Sequence, residues 1–424
     1  MIDPNNSAQK INFAQRLPFY YGWLMVFVTV IAQGVSGVGQ TYGISVFNPS
    51  LLESLDISLS VLTGTYMVGT LVASLPQFYI GSLMDRFGIR RVMTVVVVLL
   101  GGACIFFSTV NSVITLLLGF FTLRLLGQGA LSLLSGNIPA MWFREKLGTV
   151  TGIVSSGYSI TMAVIPPLFL MLINRYGWRT AYTRLGFLVW IILLPLLILV
   201  FRNNPREVHQ RIDGAGKGDF GPGDENSFGQ RSLDLKTARK TPAYWIMMTS
   251  TALWALVVTA VFFNLLPIFN DLGISAAVAA ATYTTYAAAS LITQLALGPL
   301  ADRGPLQYML FFCMLTFAGG LVVLTKATTP LLAHTYAILV GISTGLISLV
   351  GGTMFARYFG RKHLGKLRGG VLTAQVAGSS LGPFITGVIF DLTGSYQISL
   401  WVFVGLIVPV GISSFWAVKP KLKS

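Results

Sequence analysis

Gly81-Ser82-Leu83-Met84-Asp85-Arg86 and Gly298-Pro299-Leu300-Ala301-Asp302-Arg303 are one short pattern, Gly-x-Leu-x-Asp-Arg, written twice at an offset of 217 residues. The same offset relates Arg144, Leu147, Gly148 and Gly152 to Arg361, Leu364, Gly365 and Gly369, Pro166 to Pro383, and Gly177 to Gly394. Four separate patches sharing one offset identify an internal duplication. Each hexapeptide closes an apolar run, and counting outward from the two copies gives six such runs on each side of a polar stretch.

The runs lie near 20–47, 59–84, 91–110, 113–138, 149–173 and 179–201, then 243–268, 276–300, 306–325, 330–353, 368–391 and 398–417. Each approaches the roughly 20 residues that cross a bilayer as a helix, and helices of that length pair their backbone groups internally. With 54% hydrophobic and 10% charged residues, the chain is far from the roughly 25% charged content of a soluble domain. The fold class expected is an all-α membrane protein of twelve transmembrane helices, arranged as two parallel-repeat six-helix bundles. The divisions are residues 1–201 for the first bundle, 202–240 for a cytoplasmic linker and 241–424 for the second bundle. Within the linker, Asp213 to Gly229 is Gly- and Asp-rich and reads as a mobile linker or a surface loop between the halves.

Lysine and arginine sort by side. With the N-terminus inside, 24 of the 29 fall on the inner side, and Arg175, Arg179, Arg184 and Lys326 fall outside. That asymmetry places both termini in the cytoplasm, in a plasma membrane of the bacterial inner-membrane kind. It also accounts for the net charge of +15 without a nucleic-acid partner. Residues 1–18 are polar, and the first apolar run is too long for a signal peptide, so no cleavable leader is expected. Cys104 and Cys313 sit inside apolar runs, which argues for neither a disulfide framework nor a metal site. No cofactor motif appears, and the chain is expected to be a monomer and not an enzyme.

One cation remains in mid-membrane. Arg124 is central in the fourth run, where an arginine costs roughly 2.5–3.5 kcal/mol on insertion scales. All fourteen acids lie at helix ends, in loops or in the tail. Arg124 therefore either anchors an anionic solute or is held by the carbonyls of a neighbouring helix. Polar residues at helical spacing line other runs: Gln33, Ser36 and Gln40; Tyr66, Thr70 and Gln77; Gln128, Ser132 and Ser135; Tyr286, Ser290 and Gln294. With Arg124, the substrate-site candidates are Gln128, Gln40, Tyr42, Gln294, Asn264 and Tyr286. Parallel six-helix repeats describe a secondary transporter with its site between the halves, and an acid-free core argues against a proton relay through Asp or Glu.

Gly81-Ser-Leu-Met-Asp85-Arg86-Phe-Gly88-Ile-Arg90-Arg91 resembles the loop 2–3 signature of the major facilitator superfamily, and Gly298 to Arg303 resembles its second copy. Arg124-Leu-Leu-Gly127-Gln-Gly129 and Gly378-x-x-x-Gly382-Pro383 extend the resemblance over nearly the whole chain. Tyr21-Gly22-Trp23, Trp142-Phe143-Arg144, Tyr176-Gly177-Trp178-Arg179 and Asp391-Leu-Thr-Gly394-Ser395-Tyr396 are similar to the monocarboxylate-transporter and oxalate/formate-antiporter branch. The resemblance implies rocker-switch transport of a small, monocarboxylate-like organic anion, by symport, antiport or facilitated diffusion. The sequence departs from that branch where Gln294 takes the place of a helix 8 arginine, where Tyr42 takes that of a helix 1 basic residue, and where a helix 11 lysine is missing. Export of a neutral or amphipathic compound, with Trp254 in an aromatic cavity, is the alternative. Asp85 and Arg86 with Arg144, and Asp302 and Arg303 with Arg361, are read as the gate, each carboxylate accepting from the start of a neighbouring helix and pairing with the arginine. Pro166 and the Gly378, Gly382 and Pro383 group are read as places where a helix approaches a neighbour closely and bends.

Overall fold

The computed structural model describes residues 19–214 and 232–420, and outside short 3-10 and single-turn segments it consists of long helices. In chain order the spans are α1 (Gly22–Gly39), α2 (Val61–Phe87), α3 (Ile89–Ser108), α4 (Val113–Trp142), α5 (Leu147–Tyr176) and α6 (Trp178–Val200). After the connecting segment come α7 (Pro242–Phe263), α8 (Ala276–Arg303), α9 (Leu306–Leu324), α10 (Pro330–Phe359), α11 (Leu364–Thr393) and α12 (Tyr396–Trp416). Eleven of the twelve are long and apolar enough to cross a membrane. The exception, α8, is 28 residues long. At about 1.5 Å per residue it is long enough, but Thr282, Thr284, Thr285, Thr293 and Gln294 make it the most polar of the set.

Two hydrophobic cores form. One gathers Met25, Phe107, Phe120, Trp142, Tyr182 and Leu193 from α1–α6. The other gathers Tyr244, Phe269, Cys313, Phe317, Tyr336 and Phe403, almost wholly from α7–α12. Outward-facing apolar side chains occur on most of the spans, as with Val72 on α2, Leu99 on α3, Met171 on α5, Ile191 and Leu199 on α6, Phe312 on α9, Phe384 on α11 and Trp401 on α12. Such residues are at home against lipid tails, where water is absent. Between the bundles, α5 packs along α8, and the Gln77–Phe87 part of α2 packs along α11.

The helices break where the sequence reading did not put the hinges. The first apolar run was expected to continue to residue 47. Instead α1 tightens into a 3-10 turn at Ser36–Gly39, and Gln40 is extended (φ −81°, ψ 154°). The cause is a close crossing. A Cβ on Gly39 would overlap the carbonyl oxygen of Leu123 and stand 2.9 Å from the Cα of Gly127, so two backbones meet there. At that crossing α4 widens into a π-helical stretch, Arg124–Leu131; such bulges frequently mark functional positions. Helix α2 is interrupted at Leu75–Pro76, and α7 ends at Asn264. By contrast α5 runs through Pro166 and Pro167, and α11 through Pro383, as single assigned helices. Gly378 serves contact: a Cβ there would stand 2.6 Å from the carbonyl oxygen of Ala252 on α7.

The segment after α6 begins as a docked element, which corrects the reading of Asp213 as part of a mobile loop. The Gln210 side-chain carbonyl accepts the Tyr21 N–H at 3.0 Å, and the Asp213 carboxylate accepts the N–H groups of Arg144 (2.9 Å) and Glu145 (3.0 Å). Residues 215–229 of that expected loop lie outside the described residues.

Candidate substrate site and closing contacts

Arg124 is 3% exposed. Its Nε donates to Thr70 Oγ1 (3.1 Å), and its Nη1 donates to the Gly39 carbonyl (3.1 Å) and to Thr41 Oγ1 (3.2 Å). The Tyr66 ring lies 5.1 Å from the guanidinium carbon, and the Tyr66 hydroxyl donates to Thr41 at 2.9 Å. The break in α1 supplies this nest, because unwinding at Gln40 frees the Gly39 carbonyl for the arginine. No described carboxylate bonds to Arg124, and among the described residues its Nη2 has no protein acceptor. Part of its five-donor fork is thus spent on hydroxyls and a carbonyl, and part is left over among the described residues.

The other candidates divide into neighbours of this nest and residues committed elsewhere. Gln40, 7% exposed, donates to Ser132 Oγ (3.0 Å) and Ser36 Oγ (3.3 Å), tying α1 to α4 beside Gly127. The side-chain oxygen of Gln128 is enclosed without a hydrogen-bond partner. Tyr42 meets Tyr158 of α5 edge-on, with ring centroids 6.1 Å apart. In the second bundle, Gln294 is 2% exposed, donates to Ser290 Oγ at 3.1 Å and receives a long contact from Ser159 of α5 at 3.5 Å. The Tyr286 hydroxyl accepts from Thr344 Oγ1 at 3.1 Å and its ring packs on Phe262. Asn264 donates to the Ala260 carbonyl at 2.9 Å within its own helix end. The structure therefore brings Arg124, Gln40 and Tyr42 to one place on the first bundle, whereas Tyr286 and Asn264 serve helix contacts of the second and Gln294 meets Ser159 across the seam.

Tyr158, Thr41 and the Gly39 carbonyl were not singled out from the sequence. Tyr158 lies on α5, the first-bundle helix that packs along α8, and its ring meets that of Tyr42. Its spacing from Ser155, Ser159 and Thr161 was the available signal.

The bundles are joined at the end that carries the two signature loops. Asp85 accepts the N–H groups of Gly365 (2.8 Å) and Lys366 (2.9 Å) at the start of α11. Asp302 accepts those of Gly148 and Thr149 (3.1 Å for the latter) and the Thr149 hydroxyl at the start of α5. Each carboxylate thus grips the opposite bundle at a helix N-terminus, where unpaired N–H groups and the helix dipole favour negative charge. The expected pairings of Asp85 with Arg144 and of Asp302 with Arg361 are not formed. Arg361 instead donates to the carbonyls of Ala140 and Phe143 at the end of α4, the second at 3.0 Å. Arg368, counted from sequence only as a loop cation, donates to the Gly136 carbonyl (2.7 Å) and Asn137 Oδ1 (3.0 Å). Arg86 lies over the Phe87 ring, and Arg303 is exposed.

Burial pushes the Arg361 guanidinium down to about 10, the nearby Arg144 adds to this, and Asp213 opposes it. Arg361 therefore stays charged at neutral pH. Burial, reinforced by Asp213, pushes the Tyr20 phenol up, and its hydroxyl donates to the Trp142 carbonyl at 2.6 Å. The hydrogen bonds between bundles continue as far as Thr373 to the Ser74 carbonyl (3.1 Å) and Ser159 to Gln294, near mid-length of the helices.

Two duplicated six-helix units, a polar nest at mid-depth and a closable seam define a secondary transporter of small molecules. The family model of the Major Facilitator Superfamily matches residues 23–271 and 257–424, and the chain belongs to that family. It is 26% identical over 270 residues to an uncharacterised 38 kDa protein of Thermoproteus tenax, a match spanning 63% of this chain and 62% of that protein. It is 25% identical over 400 residues to monocarboxylate transporter 11 of Homo sapiens, spanning 89% of this chain and 79% of the other. The fold is similar to that of the proton:xylose symporter XylE, with a TM-score of 0.69, 15% identity and 92% and 94% of the two chains covered.

Proposed function

We propose that the protein moves a small, monocarboxylate-like organic anion across the membrane by alternating access, with Arg124 neutralising its charge. The observation that carries this is the leftover capacity of Arg124. It is buried at mid-depth, its Nη2 is unspent, and the described carboxylates leave it without a counter-ion. An anion arriving there offsets the cost of the buried charge, because a buried cation is tolerable when paired. Gln128, Gln40, Tyr42 and Tyr158 would supply hydrogen bonds on the first bundle, and Tyr286, Gln294 and Asn264 would complete the site when the second bundle closes over it. The monocarboxylate name of one relative agrees with an anionic cargo.

The sidedness of lysine and arginine puts the signature loops in the cytoplasm. On that reading the structure is closed toward the cytoplasm, and Asp85, Asp302, Arg361 and Arg368 hold the closed gate. Transport would release these grips as the halves rock, with Pro166, Gly378, Gly382 and Pro383 as the points where α5 and α11 flex.

Thermal-shift stabilisation of the purified protein against carboxylates and their neutral amides, with Arg124→Gln alongside, tests the reading, since a ligand of the native state raises stability by mass action. Stabilisation by monocarboxylates that disappears in Arg124→Gln supports it. Stabilisation by neutral or amphipathic compounds alone, unchanged in the variant, overturns it in favour of an exporter of such compounds.

A further inference from the structure

Helix α11 packs against the Ser132–Trp142 part of α4 and makes little contact with the π-helical stretch Arg124–Leu131. The two helices therefore part where the polar nest lies. Their register is fixed at the signature-loop end, where Arg368 donates to the Gly136 carbonyl at 2.7 Å and to Asn137 Oδ1 at 3.0 Å. On α4, Arg124, Gln128, Ser132 and Gly136 recur at every fourth position and share one face. On α11, Arg368, Leu372, Gln375 and Ser379 recur at spacings of four, three and four, and they too share a face.

The helices run in opposite directions, since α4 ends and α11 begins at the signature-loop end. From the contact of Gly136 with Arg368, eight residues back along α4 lead to Gln128, and seven forward along α11 lead to Gln375. At about 1.5 Å per residue these are rises of roughly 12 and 10 Å, so the two glutamines stand at one depth on facing sides of the gap. Gln375 is half-buried and makes no side-chain hydrogen bond with the described residues. The side-chain oxygen of Gln128 is enclosed and equally unpartnered. Two amides, each offering two donors and an acceptor, thus flank the space beside Arg124 unsatisfied.

We propose that Gln375 is the second bundle's contact with the transported solute, an inference that rests on the anion reading of Arg124. With the carboxylate on Arg124, Gln128 and Gln375 together hold an uncharged hydrogen-bonding group, such as an amide, at the other end of the solute. An apolar tail would leave both amides unpaired, which is costly in a buried site. A second carboxylate would meet no cation among the described residues there, because Arg368 is spent on α4. The solute class is therefore a monoanion with a neutral polar end.

Thermal-shift titrations of the purified protein with succinamate, succinate and 4-methylpentanoate, three chains of nearly one shape, test the assignment. Succinamate should stabilise the native protein at about fivefold lower concentration than the other two, the scale of one neutral hydrogen bond. Gln375→Leu should erase its advantage over 4-methylpentanoate. Cross-linking gives a second measurement that depends neither on a solute nor on how Gln375→Leu folds. In a chain carrying Cys104→Ala and Cys313→Ala, the pair Gln128→Cys and Gln375→Cys should be bridged by a short bis-methanethiosulfonate reagent. Intact-mass spectrometry distinguishes a bridge from two separate adducts. Ala374→Cys, about 100° around α11, should not bridge to Gln128→Cys. Bridging at 374 in preference to 375 overturns the proposal. A succinamate advantage that survives Gln375→Leu but disappears in Arg124→Gln overturns the role of Gln375 and leaves the anion reading standing. If no carboxylate stabilises the native protein, the anion reading falls and this one with it.

Discussion

The carboxylate of Asp85 takes the backbone N–H of Gly365 at 2.8 Å, and Asp302, 217 residues after Asp85, takes that of Gly148, 217 residues before Gly365. The duplicated sequence has thus become a reciprocal grip in which each bundle's signature loop holds the first turn of a helix in the other. The glycines are required by the approach. A Cβ on Gly148 would stand 2.5 Å from the Gly298 carbonyl oxygen and 2.7 Å from the Asp302 nitrogen. Hydrogen bonds to a charged acceptor contribute about 1.5–3 kcal/mol each, so Asp85→Asn or Asp302→Asn should shift the closed population by an order of magnitude or more. Spin labels on Lys146 and Arg303, both exposed at this end, report it. Their separation should lengthen in either variant and lengthen most in the double variant. An unchanged distance distribution would show that the grips are static supports.

A second prediction separates the arginine contacts from the carboxylate ones. Arg368 joins α11 to α4 through the Gly136 carbonyl and Asn137 Oδ1. Of the two bonds between the bundles, Asn137→Ala removes only the 3.0 Å one (with the Asn137 amide's bond to the Leu133 carbonyl inside α4), whereas Arg368→Met removes both. Arg368→Met should therefore widen the same label pair by more than Asn137→Ala does. Equal effects would mean that the carbonyl contact contributes nothing to closure.

Most of the architecture was readable because it rests on repeated, local signals. Apolar run lengths located the spans, and the 217-residue offset linked Asp85 to Asp302 before any coordinates. The partners of those carboxylates were half readable. The start of a neighbouring helix was expected to donate to each, but a backbone N–H carries no residue identity, so the sequence named Arg144 and Arg361 and could not name Gly365 and Gly148. The nest around Arg124 was half readable for the same reason. The Arg and the polar stripe through Thr70 were visible, but the Gly39 carbonyl became available only through a break in α1 set by a glycine-on-glycine crossing. Pro166 and Pro383, read as hinges, lie within helices that are continuous here, while Pro76, in a run read as continuous, stands at a break.

Thr70 offers a test of how Arg124 is positioned. Its hydroxyl is the acceptor for Nε at 3.1 Å, and Thr70 is itself buried. Thr70→Val keeps the shape but leaves a charged donor without its acceptor, a loss of about 1–3 kcal/mol or more. The expected result is a lower melting temperature in detergent together with weaker carboxylate stabilisation, because the guanidinium loses the contact that fixes its plane. Thr70→Ser, which keeps the oxygen, should restore the ligand effect. A Thr70→Val protein with native ligand response would show that Gly39 and Thr41 hold the arginine unaided.

The crossing of α1 and α4 predicts opposite outcomes for two glycines. At Gly39 an added methyl group would collide with the Leu123 carbonyl and crowd Gly127, both of which are backbone and cannot swing away. Gly39→Ala must force the helices apart, which moves the Gly39 carbonyl off Arg124 and strips the nest of the one backbone acceptor it has among the described residues. Gly102, inside α3, has nothing within 4 Å of such a methyl group. There alanine should stabilise by roughly 0.5–1 kcal/mol, since glycine in a helix interior loses more backbone entropy on folding. Melting temperatures of the two purified variants decide the matter. Gly102→Ala should melt at or above the parent. Gly39→Ala should melt well below it and lose carboxylate stabilisation even at temperatures where it remains folded. If Gly39→Ala matched the parent in both, the close crossing could not be what holds Arg124 in place.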